Sequence, residues 1–355
     1  QTTILSYKTE DQLLVGFSDF VKEKNPNIIT GYNILGFDIP YMIERAKFGQ
    51  CIADFNRMGF RPQYICKEER IKWSSSAYGT QEFKFVDAEG RLFVDLLPLV
   101  KRDYKFDNYK LKTVSTFFLG ETKDPLTAKG IFKCYRTGME NGKWIGGKRA
   151  EKAFGVVGKY CVQDSALVLK LFDTIQTWVA LCEMAKICNV PIFYLYTQGQ
   201  QIKVFSQVYK YCMYNNFVVE KDGYEVKENE QYTGAYVVQP IPGAYDKVVP
   251  FDFTSLYPTT IIAYNIDYST LVTDPSIPDS DCNVIEWDDH VGCEHDITPR
   301  ATKPKSIICA HHRYRFLKSP MGVIPTLLQN LLNARKNVKK DMKQARKNAN
   351  ESKEK

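Results

Sequence analysis

The sequence predicts a multidomain protein that combines α/β and α+β segments, and three observations carry that expectation. At 355 residues the chain exceeds the roughly 250 to 300 residues at which a single core stops growing. Two stretches, Ile28 to Arg45 and Val248 to Asn265, each read as strand, turn and helix with a carboxylate at the junction. Residues beyond Met321 show the i, i+3, i+4 apolar spacing of one long helix. Hydrophobic residues at 44% and aromatics at 13% suit a globular protein. No apolar run is long enough to span a bilayer, so no membrane partner is expected.

Both ends are abrupt. Gln1-Thr-Thr-Ile-Leu-Ser-Tyr7 looks like the middle of a strand, and the last residues stop inside a helical pattern without a Gly or Pro signal. A piece of a longer protein is expected. Ten cysteines without regular pairing spacings predict reduced thiols and an intracellular setting. Of the net charge of +7, the nine Lys or Arg and three acids of residues 333 to 355 supply all but one. The basic character is therefore assigned to one helix.

In chain order, Asp11 to Lys24 has a helical pattern ended by Asn25-Pro26, and Ile28-Ile29-Thr30 reads as a buried strand. Gly31-Tyr32-Asn33-Ile34-Leu35-Gly36-Phe37-Asp38 follows, with Pro40 near the start of the next helix. Asp38 thus sits at a strand-to-helix junction. Asp87-Ala88-Glu89 beside Gly90 reads as a turn between strands, and Asp95 ends a strand in a structural role. Residues 121 to 147, rich in Gly and Lys, read as an exposed loop or hairpin. For Lys143 and Lys148 a solvated surface outweighs a DNA contact.

Tyr160-Cys-Val-Gln-Asp164 opens a helix continued by Leu167, Val168 and Leu171, so the tips of Tyr160 and Asp164 share one face. On residue types alone a solvated helix N-terminus outweighs a site. Leu171 to Ile187 reads as a helix packed between domains, and Thr197 to Gln207 begins another. In Tyr232-Thr-Gly234-Ala235, Gly234 permits close backbone approach to a phosphate and Tyr232 offers a stacking face.

The run Val248-Val-Pro-Phe-Asp252 reads as a strand ending in a carboxylate, a turn ends in Pro258, and an apolar helical pattern follows. The N–H groups of Ser255, Leu256 and Tyr257 are then free to hold phosphate oxygens. A carboxylate beside an anion cradle suits metal-assisted phosphoryl transfer. By composition alone, a capping aspartate in an ordinary α/β unit outweighs it. Residues 272 to 312 hold Cys282, His290, Cys293, His295, Cys309, His311 and His312. They lack the paired spacing of a zinc finger, so no structural zinc is expected. In the last helix Arg335 falls within the stripe Ile324, Leu327, Leu328, Leu331, Val338 and Met342. Lys339, one turn on, can reach the same anion.

Asp252-Phe-Thr-Ser-Leu-Tyr-Pro258 closely resembles the first polymerase motif of family B DNA polymerases, and Ala263-Tyr-Asn-Ile-Asp-Tyr-Ser-Thr-Leu271 continues the likeness. The Gly31 to Asp38 and Tyr160 to Asp164 segments together resemble the second and third motifs of that family's proofreading exonuclease. Gly90 to Asp95 and Tyr109-Lys-Leu111 match between them. Tyr232 to Ala235 resembles the family's template-binding Tyr-x-Gly element, and Asn333 to Lys339 its first fingers helix. The version here looks more like the delta-like enzymes of large DNA viruses than cellular ones.

The resemblance implies an RNase H-like 3′–5′ exonuclease domain at 1–175, a helical linker leading to the palm at 176–235, part of the palm at 236–320 and the first fingers helix at 321–355. It implies Mg²⁺ at two-metal sites, with Asp252 and the Phe253 backbone as ligands in one and Asp38 and Asp164 in the other. Tyr160 would orient the attacking water. Ser255, Leu256, Tyr257, Arg335 and Lys339 would hold the incoming dNTP, with Tyr257 excluding a ribose hydroxyl, and Tyr232 and Gly234 would touch template.

The implied activity is DNA-directed DNA polymerase with proofreading. Its partners would be primer-template DNA, dNTPs and a sliding clamp or other processivity factor. A viral enzyme would work in the host nucleus or a cytoplasmic virus factory. The family's Asp-x-Glu motif is missing upstream of Asp38, and its Tyr-Gly-Asp-Thr-Asp motif occurs nowhere in this chain. The chain alone is therefore expected to perform neither reaction well. A dedicated exonuclease and a non-catalytic DNA-binding remnant are the other classes; the retained Asp38, Tyr160, Asp164 and Asp252 weigh against the remnant.

Overall fold

A computed structural model describes residues 3–61, 63–75, 78–122, 125–140, 142–219, 240–289 and 310–353. It divides into two units, Gln1–Ser206 and Gln207–Lys355. Residues 3–7 form no strand, against the expectation for that end.

The first unit begins with α1 (Glu10–Lys24), started by the Thr9 side chain accepting from Gln12 N–H and ended by Asn25 in the left-handed conformation. β1 (Ile28–Gly31) leads through a π-helical turn (Ile34–Asp38) into α2 (Ile39–Phe48) and the short α3 (Ile52–Phe55). β2 (Lys67–Ser75) and β3 (Gly79–Asp87) form an antiparallel hairpin. β4 (Leu92–Asp95) returns beside β1 in parallel, with Ile28 opposite Leu92 and Gly31 opposite Asp95. Asp87 to Gly90 is the expected turn. Arg91 fixes it by donating to the carbonyls of Met58 at 2.6 Å and Pro26 at 2.7 Å.

α4 (Leu96–Asp103) and α5 (Leu111–Leu119) follow, then α6 (Ala128–Gly138), β5 (Met139–Glu140), β6 (Lys143–Trp144) and α7 (Lys148–Thr174). Two expectations are corrected here. Residues 128–138 are helical rather than loop, because Thr127 accepts from Gly130 N–H as a cap and α6 packs along α7. Helix α7 starts at Lys148, so Tyr160 and Asp164 lie in its middle, not at its start. Gly155 and Gly158 suggest an interruption that packing overrides.

The unit closes with α8 (Thr177–Cys188), α9 (Tyr194–Thr197) and the start of α10 (Gln201–Tyr214). Its main core gathers Leu35, Ile43, Phe55, Met58, Val86, Val94 and Tyr196, all fully buried. Each such side chain contributes about 1.5–3 kcal/mol. A second cluster forms around Leu96, Val100, Val114 and Leu171.

Three polar side chains of the unit tie down α9. Tyr196 donates its hydroxyl to Phe93 O, Trp73 Nε1–H donates to Thr197 O at 2.7 Å, and Arg102 donates to the carbonyls of Leu195 and Gln198. Residues 176–206, the first part of the expected linker, therefore fold with the first unit.

The second unit contains the rest of α10, α11 (Leu256–Tyr264), the antiparallel pair β7 (Cys282–Asp289) and β8 (Ala310–Leu317), and α12 (Val323–Lys353). Residues 248–253 are not the expected strand: they run without sheet pairing, and Val248, Val249, Phe251 and Phe253 are exposed. A strand of this composition needs a neighbour to take its backbone groups and cover its apolar face; none lies beside it among the described residues. Leu331, Val338 and Met342 on α12 are exposed as well.

Candidate functional site

In the first unit the path to Asp38 is set by a buried carboxylate. Asp95, 1% exposed, caps α4 by accepting from Leu97 N–H at 3.0 Å. Its two oxygens also accept from Asn33 N–H at 2.7 Å and Leu35 N–H at 3.0 Å. Asn33 supplies the left-handed turn this needs, at φ 66°, a conformation asparagine tolerates better than most residues. Thr30 Oγ1 donates to Val94 O at 2.9 Å, and Tyr32 donates its hydroxyl to Tyr109 O at 2.7 Å.

The chain from β1 to Asp38 is thus held on both sides. Desolvation raises the Asp38 carboxyl above its ordinary value, partly offset by a hydrogen bond from its own backbone. Burial raises Asp95 too. The N–H groups of Leu35, Leu97 and Asn33 oppose that rise, and the nearby charge of Asp38 adds to it.

Asp164 and Tyr160 are half-buried on α7, the helix that packs against β1. The fold therefore packs the helix that carries Asp164 against β1, the strand that ends seven residues before Asp38. Both carboxylates are hard oxygen donors of the kind Mg²⁺ takes. Among the described residues no group of three or more His, Cys, Asp or Glu side chains gathers at metal-binding distance.

In the second unit Asp252 is exposed, and so are Phe253, Leu256 and Tyr257. Ser255 adopts the left-handed conformation, φ 53° and ψ 55°, as the residue preceding α11. The N–H groups of Leu256 and Tyr257 belong to the first turn, where no intrahelical acceptor exists. Arg335 and Lys339 stand one turn apart and exposed on α12, which packs against α11.

A hub of two buried side chains orders this packing. Asn265 Oδ1 accepts from Gly322 N–H at 2.9 Å, and its Nδ2 donates to Leu317 O and Pro320 O at 2.8 Å. Asp267 accepts from Val323 N–H and Ile324 N–H, both at 3.2 Å, capping α12. Sequence reasoning missed Asn265 and Asp267 as anchors, because these partners lie 52 to 57 residues away in sequence.

Tyr232 and Gly234 lie outside the described residues, as do His290, Cys293, His295 and Cys309. Of the remaining Cys and His cluster, His311 Nδ1 lies 2.8 Å from Asp288, His312 stacks on Trp287, and Cys282 is buried.

Comparisons with known proteins agree across both units. The family model for DNA polymerase family B, exonuclease domain, matches residues 1–114, and that for DNA polymerase family B matches residues 190–353. DNA polymerase 120R of Invertebrate iridescent virus 3 is 48% identical over 96% of this chain and 32% of its own length. The DNA polymerase delta catalytic subunit of Candida albicans is 35% identical over 96% of this chain and 30% of its own length. The chain spans about a third of the length of these curated relatives.

The solved family B DNA polymerase from the hyperthermophilic archaeon Pyrobaculum calidifontis shares the fold, with a TM-score of 0.57 and 24% identity over 96% of this chain and 38% of that one. The motifs, the two units and these matches agree: the chain belongs to the family B DNA polymerases, carrying sequence of both the exonuclease domain and the polymerase region.

Proposed function

We propose that the protein containing this chain is a replicative DNA-directed DNA polymerase with 3′–5′ proofreading, which adds dNMP units to a primer 3′-hydroxyl and removes mispaired 3′ ends. The observation that carries this reading is the succession, in one chain, of the exonuclease-domain match and the polymerase match. Family B polymerases and their exonuclease domains depend on divalent metal.

In this reading Asp252 and the Phe253 carbonyl would hold Mg²⁺ in the polymerase site, and Asp38 and Asp164 would hold it in the exonuclease site. Bound there, Mg²⁺ would stabilise charge on the phosphoryl oxygens and lower the pKa of water. The N–H groups at the start of α11, from Ser255 to Tyr257, meet triphosphate oxygens. Arg335 and Lys339 grip the same anion from α12. The exposed Tyr257 ring lies under the sugar and leaves no room for a ribose hydroxyl. Tyr160 directs its hydroxyl to the attacking water, and Asp95 keeps the Asp38 loop in place.

Tyr232 and Gly234 contact template, and the functional segments are 1–175, 176–235, 236–320 and 321–355, with residues 176–206 of the linker folded onto the first unit. Partners are primer-template DNA, dNTPs and a sliding clamp or other processivity factor. The viral relatives favour work in a host nucleus or a cytoplasmic virus factory. Primer extension by the protein of the complete reading frame tests the reading. Wild type extends the primer and Asp252→Ala does not; excision without any extension by wild type would instead leave an exonuclease whose polymerase residues are idle.

A further inference from the structure

Residues 125–160 hold eight Lys or Arg and two Glu, a local excess hidden when charge is summed over the chain. Lys129, Lys133, Arg136, Lys143, Lys148, Arg149, Lys152 and Lys159 are all exposed. No carboxylate pairs with any of them among the described residues.

The fold gathers them. On α6, Lys129, Phe132, Lys133 and Arg136 follow i, i+3, i+4, i+7 spacing and so share one face. The hairpin of β5 and β6 then turns the chain into α7, whose first turns present Lys148, Arg149 and Lys152. Aromatic rings belong to the same arm: Phe132, on the cationic face of α6, is 62% exposed, and Tyr135 and Trp144, which pack on Phe154, are each 50% exposed. The arm is rigid where it must be. Trp144 meets Phe154 edge-on at 5.0 Å, and Gly138 admits this pair because an added Cβ would come within 2.9 Å of Trp144 Cζ3.

We infer that this α6–hairpin–α7 arm is a binding surface for single-stranded DNA. Exposed cations that track a phosphate backbone, interleaved with open aromatic faces on which bases stack, are the recurring makeup of single-strand sites. A duplex keeps its bases stacked inside and has no use for the rings. An acidic protein surface would answer the cations but not the exposed Phe132 ring and the half-exposed Tyr135 and Trp144. The arm feeds α7, and Tyr160 lies twelve residues, about 18 Å, along that helix from Lys148. The strand held is therefore the one whose 3′ end reaches Tyr160 and Asp164. That last step rests on the exonuclease reading; the binding does not.

The test is titration of a fluorescein-labelled oligothymidylate with the 355-residue chain, in EDTA so that no cleavage occurs, over a range of salt. The variants are Lys129→Gln/Lys133→Gln/Arg136→Gln, Phe132→Leu, and Lys336→Gln/Lys340→Gln/Lys343→Gln on α12 as comparison. Circular dichroism verifies that each is folded. The α6 triple variant is expected to weaken binding at least tenfold and to reduce the slope of log K against log salt by about 2, from roughly 0.7 per lost phosphate contact. Phe132→Leu is expected to weaken single-strand binding about fivefold and blunt-duplex binding hardly at all. Wild-type affinity and slope in the α6 variant, or a loss confined to the α12 variant, would overturn the surface. An equal Phe132→Leu loss on duplex would overturn its single-strand character. Intact binding without 3′ excision by the complete protein would sink the exonuclease reading alone.

Discussion

The carboxylate of Asp95 accepts the backbone N–H of Asn33 at 2.7 Å, joining two segments 62 residues apart at the foot of the loop that carries Asp38. Because Asp95 also takes Leu35 and Leu97 N–H, its removal strands three donors in a buried place. Asp95→Ala is expected to lower stability by about 2–4 kcal/mol in urea unfolding followed by near-ultraviolet circular dichroism. Asp95→Asn, which keeps one acceptor oxygen, loses less. An unchanged midpoint for Asp95→Ala would refute the lock.

Charge couples the same pair of carboxylates. Both Asp38 and Asp95 are raised in the fold from an ordinary value of 3.8, so each holds its proton more tightly folded than unfolded. The stability they contribute is fully present below that ordinary value and is lost as pH rises through the folded one. Asp38→Asn removes a charge that raises Asp95. The Asp95 pKa, followed by carbon-13 carboxyl titration, should fall in that variant; an unmoved value would separate the two groups.

Asp267 holds the start of α12, and its loss frees two first-turn N–H groups. Asp267→Ala is expected to cost about 1–2 kcal/mol, with faster hydrogen exchange at Val323 and Ile324. Exchange rates equal to wild type would place the anchor elsewhere.

Arg335 and Lys339 are proposed to grip one triphosphate. Alanine at either position should raise the dNTP KM of the complete polymerase about 10- to 100-fold. Arg335→Lys should fall between, since lysine loses the forked geometry. A KM unchanged in both would remove α12 from nucleotide binding.

What the sequence made legible was local. Helix α1 has its Thr9 cap and its Asn25 stop within the helix's own neighbourhood, and Ile28 to Asp38 declares its strand and turn in consecutive residues. The Asp95 lock was not legible as a lock, because two of its partners lie 60 and 62 residues away in sequence. Helix α7 was started too late at Tyr160, because Gly155 and Gly158 suggest a break that contact with α6 and β1 cancels. Helix α6 was read as loop because its lysines and glycines outweigh a short amphipathic pattern. The failure at 248–253 is of another kind. Its β-favouring residues are real, but a strand is completed by a neighbour, and the described residues supply none.

The most direct measurement uses a primer with a mispaired 3′ end and the protein of the complete reading frame, with Mg²⁺ and with or without dNTPs. The Asp38→Ala/Asp164→Ala variant should extend a paired primer yet leave the mispaired end intact. Asp252→Ala should remove the mispaired end yet extend nothing. Loss of both reactions in either variant, in protein that remains folded, would contradict two separate sites; so would excision that survives the loss of Asp38 and Asp164.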